Sequence, residues 1–169
     1  MTSLLKTGLM ILSVTLLSAC ANNPFGSFGK DGADGANVGL GDGVIEESSI
    51  AFFNTTVGDT VLFIVDQSTL NDAAVTLLDA QAAWLNANMQ YTATVEGHAD
   101  EQGTREYNMA LSARRAQAVY NYLISRGVAA NRLNTVPFGK DKPLAICSEE
   151  ECWSKNRRAV TVVAGGFNA

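Results

Sequence analysis

Two long stretches with a period near 3.6, and short stretches with a period of two around them, constrain this chain more than any single motif. Residues 71–88 put Ala74, Leu77, Leu78 and Leu85 on one face with Trp84 beside them. Residues 104–126 run from Thr104, a candidate N-cap, to Arg126, and Gly127 supplies a stop. Residues 91–96 alternate as a strand does and end at Gly97, while 132–136 and 158–163 read as further strands separated by a turn region at 137–143. Ahead of these, residues 50–56 and 60–65 are β-rich and flank Val57-Gly58-Asp59, the composition of a hairpin turn. The order strand, helix, strand, helix, strand, strand predicts an α/β two-layer sandwich, a mixed β-sheet with both helices on one face.

The first 43 residues follow other rules. Lys6 precedes an apolar run from Leu9 to Leu17 that is too short to span a bilayer, which is the pattern of an export signal over residues 1–19. The run ends in Leu17-Ser18-Ala19-Cys20, which resembles the bacterial lipoprotein signal. That resemblance implies cleavage before Cys20 and acylation of its sulfur and new amine. Each buried methylene contributes about 0.8 kcal/mol, so two or three chains hold a protein on a membrane almost permanently. Ala21 stands where retention at the inner membrane would lead one to expect aspartate, so outer-membrane delivery is expected. From 20 to 43 the chain is rich in Gly, Asn, Asp and Ser and cannot bury enough surface to offset its entropy. It reads as a flexible lipidated tether with a root-mean-square span of about 26 Å and an extended limit of about 75 Å. The globular part is then 44–169.

Charge and cysteines narrow the chemistry further. A net charge of −5, more negative once Lys6 is removed, argues against nucleic acid, whose phosphates need clustered cations. With Cys20 assigned to lipid, Cys147 and Cys152 remain, in a compartment where disulfides persist. The pair reads as a staple. Zinc would need more than two cysteines and a distant His98, and the Asp-Gly pattern of the tether keeps no nonapeptide period of the calcium-binding kind.

The second helix carries the functional signal. Asn108, Leu111, Ser112, Arg115, Val119 and Tyr122 share one face, with Arg114 pointing away from it. Arg115 interrupts that face and is costly there unless an anion meets its planar fork. Just upstream, Gly97-His98-Ala99-Asp100-Glu101-Gln102-Gly103 is a glycine-bounded loop at a strand end. Two arrangements are open from spacing alone: Asp100 and Arg115 pair with each other, or they hold a zwitterionic amino-acid head between them.

Four segments add to this. Val95-Glu96-Gly97-His98-Ala99-Asp100, Tyr107-Asn108-Met109-Ala110-Leu111-Ser112-Ala113-Arg114-Arg115-Ala116, Phe138-Gly139-Lys140-Asp141-Lys142-Pro143 and Ser154-Lys155-Asn156-Arg157-Arg158-Ala159-Val160 closely resemble the peptidoglycan-associated lipoproteins of the OmpA-like domain family. The resemblance implies non-covalent binding of the diaminopimelate residue of uncrosslinked peptidoglycan stems, with no catalysis, cofactor or metal. Asp100 would take the ammonium and Arg115 a carboxylate. Backbone amides near Asp66 and at the start of the second helix would cradle the same carboxylate, and Asn108, Leu111 and Ser112 would shape the pocket. Val65 departs from the family's phenylalanine before Asp66. The resemblance also implies the Tol-Pal system, in which the periplasmic propeller protein TolB and the wall compete for overlapping surfaces. His98 reads as a hydrogen-bond partner ordering its loop rather than as part of a hydrolytic triad with Ser112 and Asp100. Arg157 and Arg158 are expected on ligand, on carboxylates or on backbone carbonyls, and Trp84 and Trp153 in the core.

Overall fold

The computed structural model describes residues 45–165. The expected signal at 1–19, Cys20 and the tether at 20–43 lie outside the described residues. Helix α1 (Ile50–Phe52) opens where the Ser49 side chain accepts the Phe52 N–H, and it runs directly into a π-helical turn at Phe53–Gly58. Strand β1 (Thr60–Leu62), helix α2 (Asp72–Ala87), strand β2 (Thr92–Gly97), helix α3 (Arg105–Ser125), strand β3 (Leu133–Pro137), helix α4 (Glu150–Asn156) and strand β4 (Arg158–Ala164) follow.

The hairpin expected at 50–65 does not form. Its first half is helical because the Ser49 cap starts a helix and because a helical turn delivers Phe53 into the core, fully buried and with its ring centroid 4.9 Å from that of Trp84. Gly58, at φ 89°, ends the turn. What remains of the second half pairs with β4, not with a neighbouring hairpin strand.

The sheet has four strands in the order β1-β4-β2-β3. β2 and β3 are parallel, and β4 runs antiparallel to both β1 and β2, so the sheet is mixed as expected. Both long helices are capped by side chains: Asn71 accepts from Ala74 N–H at 2.8 Å, and Thr104, the expected cap, from Tyr107 N–H at 3.2 Å. α3 packs on β2 and β3, while α2 packs on β1 and α3. Leu78, Leu85, Val95, Val119 and Leu123 meet in the layer between. Trp84 is part of that core and donates its Nε1–H to the Glu47 carbonyl at 2.7 Å.

α4 is an element the periodicity does not announce. Seven residues are too few for a helix to hold itself in water. Here the bonded sulfurs of Cys147 and Cys152 close the chain across its start, and Asn156 ties its end to the backbone of Leu144 and Ala145.

Candidate functional site

Where β2 stops pairing after Gly97, the chain turns through residues 98–104 into α3, and the segment after β1 runs alongside. Between them lies a cleft of about 180 Å³, its walls formed by Val65 and Asp66 on one side and by Asp100, Gln102, Gly103, Tyr107, Asn108 and Leu111 on the other. A volume of that size suits an amino-acid head, not a drug-sized ligand.

Asp100 is 7% exposed. One carboxylate oxygen, Oδ2, accepts from Arg157 Nη1 at 3.1 Å, and the other accepts the Gln102 backbone N–H at 3.2 Å. Two of roughly four lone-pair positions are thus used. The loop that carries Asp100 is pinned from α3, because the Asn108 amide donates to the carbonyls of Asp100 at 3.2 Å and Gln102 at 2.8 Å. Across the cleft, Asp66 holds the left-handed conformation at φ 58° and is exposed. Its carboxylate accepts the Tyr107 hydroxyl at 2.7 Å. That bond joins the two walls, and it raises the Tyr107 pKa because Asp66 stabilises the protonated phenol.

Arg115 is fully buried and does not line the cleft. It does not pair with Asp100. Its Nε donates to the Gln67 carbonyl at 2.9 Å, Nη1 to His98 at 2.9 Å and Nη2 to Ile64 at 3.2 Å, while the guanidinium carbon lies 5.2 Å over the Phe63 ring. The divergent donors of a planar fork can meet several carbonyls where strand pairing has ended and backbone oxygens are spare. Burial pushes its pKa down to about 10, and the nearby Asp100 and Asp66 work against that fall. Three of five N–H bonds are spent on carbonyls of the segments that carry the two walls.

The partner of Asp100 is instead Arg157, 57 residues further along. Arg157 also meets Glu150 and the Phe63 carbonyl, and Arg158 donates to the carbonyls of Asn156 and Lys142. Both arginines therefore serve carboxylates or backbone.

Three further expectations change. Ser112 is buried away from the cleft, its Oγ donating to Met109 O at 2.9 Å and accepting the Gly139 N–H at 2.9 Å, so it bolts α3 to the turn after β3. Asn108 and Leu111, from the same helical face, do line the cleft. The His98 ring orders its loop by packing, since neither ring nitrogen has a hydrogen-bond partner among the described residues and the ring stacks on Phe138 at 5.4 Å; only the His98 backbone is bonded, to Arg115 and Arg158. Burial, then Arg158 and Lys142, push its pKa down to about 4. Trp153 is half-buried on α4 instead of in the core, with Nε1 donating to Glu101 Oε1 at 3.0 Å.

Sequence reasoning missed Tyr107, Gln102 and Gly103 as lining residues. A signal for Tyr107 was present, since an aromatic ring in the first turn of α3 has no core beneath it.

A model of the OmpA family matches residues 62–157. The chain is 51% identical over 132 residues to the peptidoglycan-associated lipoprotein of Rhizobium meliloti (strain 1021), covering 78% of this chain and 75% of that one. It is 44% identical over 166 residues to the peptidoglycan-associated lipoprotein of Mesorhizobium japonicum, covering 96% and 95%. Among solved structures, the peptidoglycan-associated lipoprotein from Burkholderia pseudomallei superposes with a TM-score of 0.63 at 34% identity, over 66% of this chain and 96% of that chain.

Proposed function

The chain belongs to the OmpA family, and on that footing we propose that it is a cell-envelope lipoprotein whose cleft holds the diaminopimelate of an uncrosslinked peptidoglycan stem. The observation that carries this reading is the pair of carboxylates, Asp100 and Asp66, on the two walls of one small cleft at the start of α3. An ammonium group entering there meets Asp100 from its open side. The carboxylate of the same amino-acid head is drawn to the N–H groups at the start of α3, which carry the positive end of the helix dipole. Arg115 adds its charge from behind the wall and keeps two N–H bonds uncommitted. Asn108 and Leu111 set the floor against which the ligand's methylenes rest.

The same reading has Cys20 acylated and the chain anchored in the outer membrane, with residues 44–169 facing the periplasm on their tether. Leu17-Ser18-Ala19-Cys20 and Ala21 support that part. By family likeness the chain works in the Tol-Pal system, where TolB competes with the wall. Co-sedimentation with purified sacculi tests the site: Asp100→Asn combined with Asp66→Asn should abolish retention, and undiminished retention refutes the assignment.

A further inference from the structure

Behind the cleft carboxylate stands a second acid that never touches the cleft. Arg157, 4% exposed, bridges the two. Its Nη1 donates to Asp100 Oδ2 at 3.1 Å and to Glu150 Oε2 at 3.2 Å, its Nη2 to Glu150 Oε1, and its Nε to Phe63 O at 3.3 Å.

Charge counting gives this row a consequence. Asp100 and Arg157 alone cancel, so a cationic group arriving at Asp100 would face a neutral pair. Glu150 leaves the row with one surplus negative charge. It also occupies both Nη atoms of Arg157, which keeps the guanidinium from turning its full fork onto Asp100. Consistently, Arg157 holds the Glu150 carboxyl below the usual carboxylate range.

Glu150 cannot hold this position unaided. Its side chain is 63% exposed, and it is the first residue of a seven-residue helix whose N-cap, Glu149, makes no side-chain capping bond. The disulfide between Cys147 and Cys152 brackets it in sequence and fixes the start of that helix.

We propose that Glu150, held in place by the Cys147–Cys152 disulfide, is a positioning residue that balances Arg157 and so keeps Asp100 available to the ligand's ammonium. This rests on the cleft being the diaminopimelate site. Titration calorimetry of the full chain with a muropeptide carrying a free diaminopimelate stem tests it. Glu150→Gln should weaken binding about threefold to fivefold, the range of a partly exposed ion pair. Glu150→Lys should weaken it more, because the row's charge then changes by two. Cys147→Ser with Cys152→Ser should match Glu150→Gln, and adding Glu150→Gln to that pair should cost nothing further, since both act through one contact. Should the serine pair fail to fold, the graded loss from Gln to Lys decides. Unchanged affinity in Glu150→Gln, equal losses for Gln and Lys, or additive losses in the combined variant overturn the proposal. Failure of the unaltered chain to bind overturns the cleft assignment itself, and this proposal with it.

Discussion

Gly97 lies so close to Ser112 that a Cβ at Gly97 would sit 2.0 Å from the Ser112 carbonyl oxygen and 3.1 Å from the Ala116 side chain. This contact is what lets the end of β2 and the second turn of α3 approach, and it brings the Asp100 loop over the helix. The obstacle is helix backbone, which cannot rotate aside as a side chain can. Gly97→Ala should therefore destabilise the fold by about 3 kcal/mol, the upper part of the range for overpacking. Urea unfolding measures this, and a loss below 1 kcal/mol would mean that α3 can slide outward at little cost.

The strands and helices that rest on periodicity were legible, including the cap at Thr104, whose side chain accepts the Tyr107 N–H. Residues 50–56 were misread because β-propensity describes a half-buried pleated surface, whereas Ser49 offered a cap and the core demanded Phe53. α4 was invisible because its stability comes from a disulfide and from Asn156, not from its own pattern. In the site, Asp100 and Asp66 were found from loop position and resemblance. The pairing of Asp100 with Arg157 was not, since a contact across 57 residues leaves no local trace. Arg115 was recognised as anomalous for a sound reason, an arginine on a buried face, yet the sequence does not say whether carboxylates or backbone carbonyls will satisfy it.

The two tryptophans should respond differently to substitution. Trp84 packs between Phe53 and Tyr91 and gives up a hydrogen bond to Glu47 when replaced, so Trp84→Phe should cost about 2 kcal/mol. Trp153 is half-buried on a surface helix, so Trp153→Phe should stay within about 0.5 kcal/mol. Because Trp153 bonds Glu101 in the loop that carries Asp100, its fluorescence in Trp84→Phe should change as stem peptide is added. A spectrum indifferent to saturating ligand would place the binding event elsewhere.

His98 gives the fold a dependence on mild acid. Its folded pKa of about 4 lies below the 6.5 of an ordinary histidine, so between these values the unfolded chain binds a proton that the folded chain refuses. The contribution is complete above pH 6.5 and is lost as pH falls toward 4, by about 1–3 kcal/mol in all. His98→Phe sacrifices no side-chain hydrogen bond, since neither nitrogen makes one, and it should flatten the slope of unfolding free energy between pH 4.5 and 6.5. An unchanged slope would assign the acid sensitivity to other groups.

Arg115 joins the segment after β1, through Ile64 and Gln67, to the end of β2, through His98. These carbonyls belong to the segments that carry Asp66 and Asp100, so the residue should govern stability and binding together. Lysine keeps the charge but concentrates it on one nitrogen, which cannot reach three carbonyls lying in different directions around a planar fork. At least one buried carbonyl would then be unpaired, and the ammonium would be poorly solvated. Arg115→Lys should accordingly lose about 2–4 kcal/mol by urea unfolding. At a temperature where the variant remains folded, retention on sacculi should still fall, because the walls that carry Asp66 and Asp100 are no longer fixed relative to each other. If Arg115→Lys matched the unaltered chain in both measurements, the guanidinium's geometry would be irrelevant and only its charge would matter, which three separate carbonyl contacts make an unphysical use of a fully buried arginine.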